Sequence, residues 1–390
     1  MAQEPASFEY ERIPYLVVFE ESAAFKDTYG GQIGQVALKA HLLRPKGRPS
    51  KTVLVFMHPI GGGEYLPLPG ALAKAGHHVI YCNSRYPGVD YALIMEKVAI
   101  DLGACVSDAR SRWGYETVIL AGWSGGGSLS AFYQAEAENP TVTATPAGDP
   151  PDLTAANLPP ADGVMFLAAH VSRARTLTEW LDPSITDESR PEEKDATLDI
   201  YDPGNPEQPP YSAAFISRYR EAQVARNRRI TAWVKDKLAA LKAAGHRHDE
   251  FAFVVHGTMA DPRFLDPALE PSDRRPGWCY LGDPRLVNNG PIGLARFCTL
   301  RSWLSQWSLD DSNADGERCA ARLGVPVLVV GNTADDACTP SHTYRLFEAV
   351  RHEDKRLVEI KGATHYYIGQ KKELAEAVRA IGDWLADHDF

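Results

Sequence analysis

The sequence predicts an α/β protein in which a doubly wound, mostly parallel sheet is interrupted by one long, mainly helical insertion. Three observations carry this. Short, continuously apolar runs ("TVLVFMH", "TVILAG", "GVMFLAAH", "VPVLVVGN") read as strands covered on both faces. Helical stretches alternate with them, the pattern of parallel βα units. The alternation stops at about Val171 and resumes only after Trp307.

Taken in order, "YLVVFEE" and "GQVALKAHLLRP" read as two strands joined by a turn at "DTYGGQIG". The strand "TVLVFMH" is followed by a short helix, "LPGALAKAGH", closed by Gly76, and by the strand "HVIYCNS". "DYALIMEKVAIDLGACVSDARSRWG" is an amphipathic helix with Leu93, Val98, Leu102 and Val106 on one stripe. The strand "TVILAG" and the helix "GGSLSAFYQAEAEN" come next, then a Pro-rich surface loop and the strand "GVMFLAAH".

The insertion opens with acidic, Pro-rich loops. It continues with a long helix over "SAAFISRYREAQVARNRRITAWVKDKLAALKAAG" and a strand at "EFAFVVHG", and closes on an aromatic helix, "GLARFCTLRSWLSQW". The sheet resumes with "VPVLVVGN", a helix near "SHTYRLFEAVR", the strand "RLVEIKG" and a terminal helix. The expected organisation is a core of residues 1–170 and 308–390, with residues 171–307 inserted between the sixth and seventh core strands.

The chain has 390 residues, 44% hydrophobic and 24% charged, as in ordinary soluble proteins. A net charge of −10 argues against nucleic acid or an anionic membrane as partner. The densest basic cluster, Arg226, Arg228 and Arg229, reads as a solvated helix face. No signal-peptide core and no apolar run of about 18 residues is visible. The six cysteines are scattered without a CxxC pair, so reduced, buried thiols and a cytoplasmic location are expected.

The chemistry concentrates in Gly122-Trp123-Ser124-Gly125-Gly126, a G-x-S-x-G motif between a predicted strand and a predicted helix. Glycine loses the most entropy on ordering, so such a run implies unusual dihedrals or a close backbone approach. The absence of a lysine excludes a Walker-type phosphate loop. A nucleophilic serine needs a base and an orienting acid. His365 in "KGATHYY" and the aspartates of "NTADDACTP" lie past the carboxyl ends of later strands.

With these motifs in the order Ser, Asp, His, the sequence resembles the α/β-hydrolase superfamily over about residues 51–169 and 325–390. The resemblance implies an α/β-hydrolase fold with Ser124 as nucleophile, His365 as base and Asp335 as acid. Asp336 is the alternative acid, by its spacing to Pro340. "HPIGGGEY" looks like the oxyanion loop, displaced by Pro59 and Ile60. Pro59 has no N–H, so Ile60 or Gly61 would pair with Gly125 as donors. His58 would order this loop by hydrogen bonding.

In the resembled superfamily a segment at the insertion's place commonly caps the site. Its tryptophans, Trp180 first, would pack cap on core and line a pocket. Trp123, Arg173 and His170 are further candidates for substrate contact. Arg173 and Arg175 would face a carboxylate, and His256 is a weaker pocket candidate. "HRHD" at His246–Asp249 reads as a solvated turn rather than a metal site, and His77 and His78 as structural. No metal and no cofactor are expected.

The expected activity is hydrolysis of a carboxylic ester or lactone of a small hydrophobic substrate through an acyl-enzyme. A thioesterase, an amidase or a C–C bond hydrolase would use the same residues. A non-catalytic ligand-binding protein on this fold is the alternative of a different class. The oligomeric state has no signature in the sequence.

Overall fold

A computed structural model describes residues 7–22, 25–26, 28 and 32–390. Half of the predicted first turn, at Asp27 and Tyr29–Gly31, lies outside the described residues. The core strands are β1 (Tyr10–Glu20), β2 (Gln35–Pro45), β3 (Thr52–Phe56), β4 (Val79–Cys82), β5 (Thr117–Trp123), β6 (Gly163–Leu167), β9 (Val327–Asn332) and β10 (Lys355–Ile360). They form one sheet in the order β1-β2-β4-β3-β5-β6-β9-β10. β1 and β2 are antiparallel to their neighbours, and the remaining strands pair in parallel.

Helices cover both faces, as the apolar strands require. One face is packed by α2 (Met95–Ser111), α3 (Gly125–Glu138), α8 (Gly316–Ala320) and α9 (Pro340–Ala349), through residues such as Val98, Leu102, Phe132 and Leu346. The other is packed by α1 (Pro67–Lys74) and α10 (Lys371–Asp387), through Leu72, Ile381 and Trp384. All parallel strands end at one edge, so the loops following β3, β5, β6, β9 and β10 converge there. The Pro-rich loop after α3 contributes Leu153 and Leu158 to the first of these cores.

Between β6 and β9 the chain forms α4 (Arg173–Trp180), α5 (Ala213–Ala243), β7 (Ala252–Val254), α6 (Pro284–Val287), β8 (Phe297–Thr299) and α7 (Leu300–Ser302). Its own core joins Leu177, Ile230, Val234, Trp303 and Trp307. The predicted aromatic helix forms only over its second half, Leu300–Trp307. Phe297–Thr299 instead pairs antiparallel with Ala252–Val254, and only a short helix and a π-helical turn at Trp303–Trp307 follow. Strand pairing across some 45 residues takes the backbone groups that a local helix would have used.

The basic cluster also differs from expectation. Arg226 is fully buried. It donates to Glu188 and to the carbonyls of Asp182, Gly257 and His256, tying α5 to two loops of the insertion. Arg228 is exposed and pairs with Asp310. The six cysteines are all buried and unpaired. No helix among the described residues is long and apolar enough to cross a membrane.

Candidate active site

Ser124 sits where β5 turns into α3, with φ 55° and ψ −124°. A non-glycine residue rarely occupies that region, at a cost on the order of 1–3 kcal/mol. The surroundings hold it there. Its N–H donates to Leu167 O at 3.1 Å, and its carbonyl accepts from Gly127 N–H at 3.0 Å. The glycines around it answer to close packing. A Cβ on Gly126 would lie 2.5 Å from Met57 O, and one on Gly127 would lie 2.4 Å from Ala169 Cβ. A Cβ on Gly125 would meet His58 Nε2 at 2.8 Å. Gly126→Ala is therefore expected to destabilise the fold by about 1–3 kcal/mol. A urea midpoint equal to the parent's would contradict this packing.

The loops after β9 and β10 bring Asp335 and His365 to the serine. His365 Nε2 lies 3.1 Å from Ser124 Oγ, and His365 Nδ1 lies 2.8 Å from Asp335 Oδ2. Asp335 Oδ1 accepts the N–H groups of Ala337 and Cys338 at 2.8 and 2.7 Å, so the carboxylate is aimed by its own turn. The histidine loop is fixed as well. Asn332 donates to Thr364 O, Tyr367 Oη donates to Asn332, and Trp123 Nε1 donates to His365 O.

Asp336 points elsewhere: only its carbonyl is engaged, by Tyr280 N–H. Burial and the charge of Asp335 push its carboxyl above the usual range. The Cys338 thiol lies 3.8 Å from Ser124 Oγ, and burial holds it protonated. Asp335, Cys338 and His365 present donor atoms within 4.8 Å of one another. As a metal set they are poorly free, since Asp335 and His365 are engaged with each other and with Ser124.

The loop after β3 brings two amides near the serine and the start of α3 a third, already differing in use. Gly61 N–H donates to His58 O at 2.8 Å in a tight turn. Ile60 N–H makes only a long contact, 3.3 Å, to His58 Nδ1. Gly125 N–H, at the start of α3, has no acceptor among the described residues. Ile60 and Gly125 are thus the amides available to an incoming oxygen.

These groups open onto a cavity of about 230 Å3, lined from the core by His58, Ile60, Trp123, Ser124, His170, Cys338 and His365. Arg173, Thr176, Trp180, Tyr280 and Leu294 line it from the chain between β6 and β9. Trp180 is 3% exposed and packs on Phe264 and Tyr280. The other candidates fall away from the cavity. Arg175 pairs with Asp315 and Glu317. His256 lines a separate surface groove with Trp233. His246 pairs with Asp249 in an exposed turn, and His78 bonds Tyr115 and the Arg48 carbonyl.

Asp90, Thr176, Tyr280, Leu294 and Cys338 were not anticipated by the sequence. Asp90 and Cys338 had a topological signal, since they follow β4 and β9 on the carboxyl edge where the site loops gather. Arg173, expected to face a substrate carboxylate, already faces Asp90 at 3.2 Å.

Burial lowers the pKa of six histidines, His41, His58, His77, His78, His170 and His256, with His58 brought to about 3. These groups are neutral in the fold but bind protons when unfolded below pH ~6.5. The stability tied to their neutrality is thus complete above pH ~6.5 and is lost as pH falls toward their folded values. The urea midpoint should decline steeply between pH 7 and 5, and a flat profile would contradict these environments.

No protein-family model matches the chain, and no curated protein matches it. Solved structures do. The α/β hydrolase GrgF from Penicillium sp. sh18 superposes with a TM-score of 0.50 at 13% identity, over 97% of this chain and 99% of that one. DcsB in complex with its substrate analogue gives 0.49 at 12% identity, over 97% and 99%. Paleococcus ferrophilus monoacylglycerol lipase gives 0.44 at 18% identity, over 97% and 99%. At these identities the likeness speaks to architecture, and the fold is that of the α/β hydrolases.

Proposed function

We propose that this chain is a serine hydrolase of carboxylic esters or lactones, acting through an acyl-enzyme on Ser124. The observation that carries the reading is the continuous relay Asp335–His365–Ser124, with spacings of 2.8 and 3.1 Å. His365 Nε2 takes the serine proton as Oγ attacks the carbonyl, then returns it to the leaving alcohol. Asp335 keeps the imidazole in the tautomer that can accept. The N–H groups of Ile60 and Gly125 stabilise the oxyanion, each contributing on the order of 3 kcal/mol to the transition state. His365 then activates water to release the acid.

Residues 171–307 act as a cap over the site in this reading. Trp180, Tyr280 and Leu294 supply an apolar wall, and the cavity's volume suits a small substrate. Unpaired cysteines throughout fit a reducing, cytoplasmic setting.

The test is fluorophosphonate labelling with mapping of the labelled peptide, together with turnover of a panel of esters, lactones, thioesters and amides. Labelling at Ser124 with fastest turnover of esters or lactones is the expected result. Fastest turnover of thioesters or amides would move the substrate class. An unlabelled, inactive protein would leave a ligand-binding protein on this fold.

A further inference from the structure

The Arg173 wall of the cavity holds more hydrogen-bonding capacity than the protein itself uses. Arg173 is 4% exposed. Its Nε donates to Gln306 Oε1 at 2.8 Å and its Nη2 to Asp90 Oδ2 at 3.2 Å, and the guanidinium stacks on Trp307 at 4.3 Å. Nη1 has no protein acceptor among the described residues. Two more polar atoms, Thr176 Oγ1 and His170 Nδ1, are buried without a partner. Thr176 follows Arg173 by three residues on α4, the spacing that places two side chains on one helix face. Arg173, Thr176, His170 and Asp90 all line the cavity that holds Ser124.

Buried polar groups are nearly always paired, and leaving one unpaired costs stability. Two such atoms facing one cavity, beside a guanidinium nitrogen that no protein acceptor takes up, point to a partner that comes with the ligand. The local charge says which kind. The guanidinium is already neutralised by Asp90, so a substrate carboxylate would sit beside a second carboxylate in a dry site and be repelled. An uncharged oxygen meets no such penalty. It can accept from Arg173 Nη1 and exchange a hydrogen bond with Thr176 Oγ1 after a turn of that side chain about χ1.

We propose that this wall is a subsite for an uncharged oxygen, a hydroxyl or a ketone, carried by the substrate away from the bond that is cleaved. The proposal rests on the ester-hydrolase reading and deepens it: the substrate class becomes hydroxy- or oxo-esters rather than plain hydrocarbon esters.

The experiment compares kcat/KM for ethyl hexanoates bearing a hydroxyl or oxo group along the acyl chain with that for plain ethyl hexanoate. It does the same for hexanoates of diols against those of the matched alcohols. At least one oxygen-bearing ester should exceed its hydrocarbon match by about 10-fold or more. Thr176→Val keeps the side chain's shape without its hydroxyl, and Arg173→Lys keeps a charge opposite Asp90 without a spare nitrogen. Each should bring that ratio toward unity.

A wild-type preference for the plain esters, or a ratio that survives both substitutions, would overturn the subsite while Ser124 labelling still upheld the hydrolase. If no ester is turned over, calorimetry with Ser124→Ala and the matched primary amides decides. Tighter binding of the oxygen-bearing amide, lost on adding Thr176→Val, supports the subsite even as the ester reading falls. Equal binding overturns it.

Discussion

Ser124→Ala is expected to lower kcat for ester hydrolysis by about a million-fold and to abolish fluorophosphonate labelling. Removing Oγ deletes the group that would form the acyl-enzyme, and neither the Cys338 thiol nor His365 can replace it. The thiol is held protonated by burial and lacks the imidazole contact that Ser124 has. Stability should change by less than about 1 kcal/mol, because alanine tolerates φ 55° no better and no worse than serine. Ser124→Gly removes the Cβ that makes this conformation costly and should raise the urea midpoint. Catalysis surviving in Ser124→Ala would end the proposed mechanism.

Asp335→Asn is the second large effect, a loss of about 10,000-fold in kcat. The geometry gives the reason. Asp335 Oδ1 accepts two backbone amides, so the asparagine must keep its oxygen there and turn its NH2 toward His365. The imidazole then accepts at Nδ1 and carries its proton on Nε2, where it cannot take one from Ser124. The flipped alternative would bury donor against donor. Asp336→Asn, half-buried and directed away from the imidazole, should cost less than about 10-fold. Stopped assays with 4-nitrophenyl acetate measure both variants, and a reversed ranking would make Asp336 the functional acid.

The adjacent aspartates mark where the sequence stops being legible. Their order after a strand located the turn that faces His365, but which of them meets the imidazole is decided by the amides of Ala337 and Cys338 and by the reach of His365. Ser124 was legible because its signal is local: a strand, a helix, and glycines forced by contacts under 3 Å. The parallel sheet was legible because its strands are apolar on both faces.

Phe297–Thr299 was misread because its pairing partner lies some 45 residues earlier. Arg226 was misread because helix spacing cannot reveal Glu188 and three carbonyls arriving from other loops. The cavity wall of Thr176 and Tyr280 was hidden for the same reason: each residue is unremarkable until distant segments meet.

The placement of the long excursion between β6 and β9 also shapes how the molecule is made. These two strands pair directly, Val164 with Val327 through Leu167 with Val330, yet about 160 residues separate them. At ~5–20 residues per second, roughly 8–30 s of translation pass between the emergence of one strand and its neighbour. Throughout that interval "GVMFL", fully buried in the finished protein, presents an open sheet edge. Such a strand invites pairing with another nascent chain, and closure through so distant a contact is slow. Yield on overexpression should therefore depend on slow synthesis or on a holdase that covers this edge, more than on the stability of the completed fold.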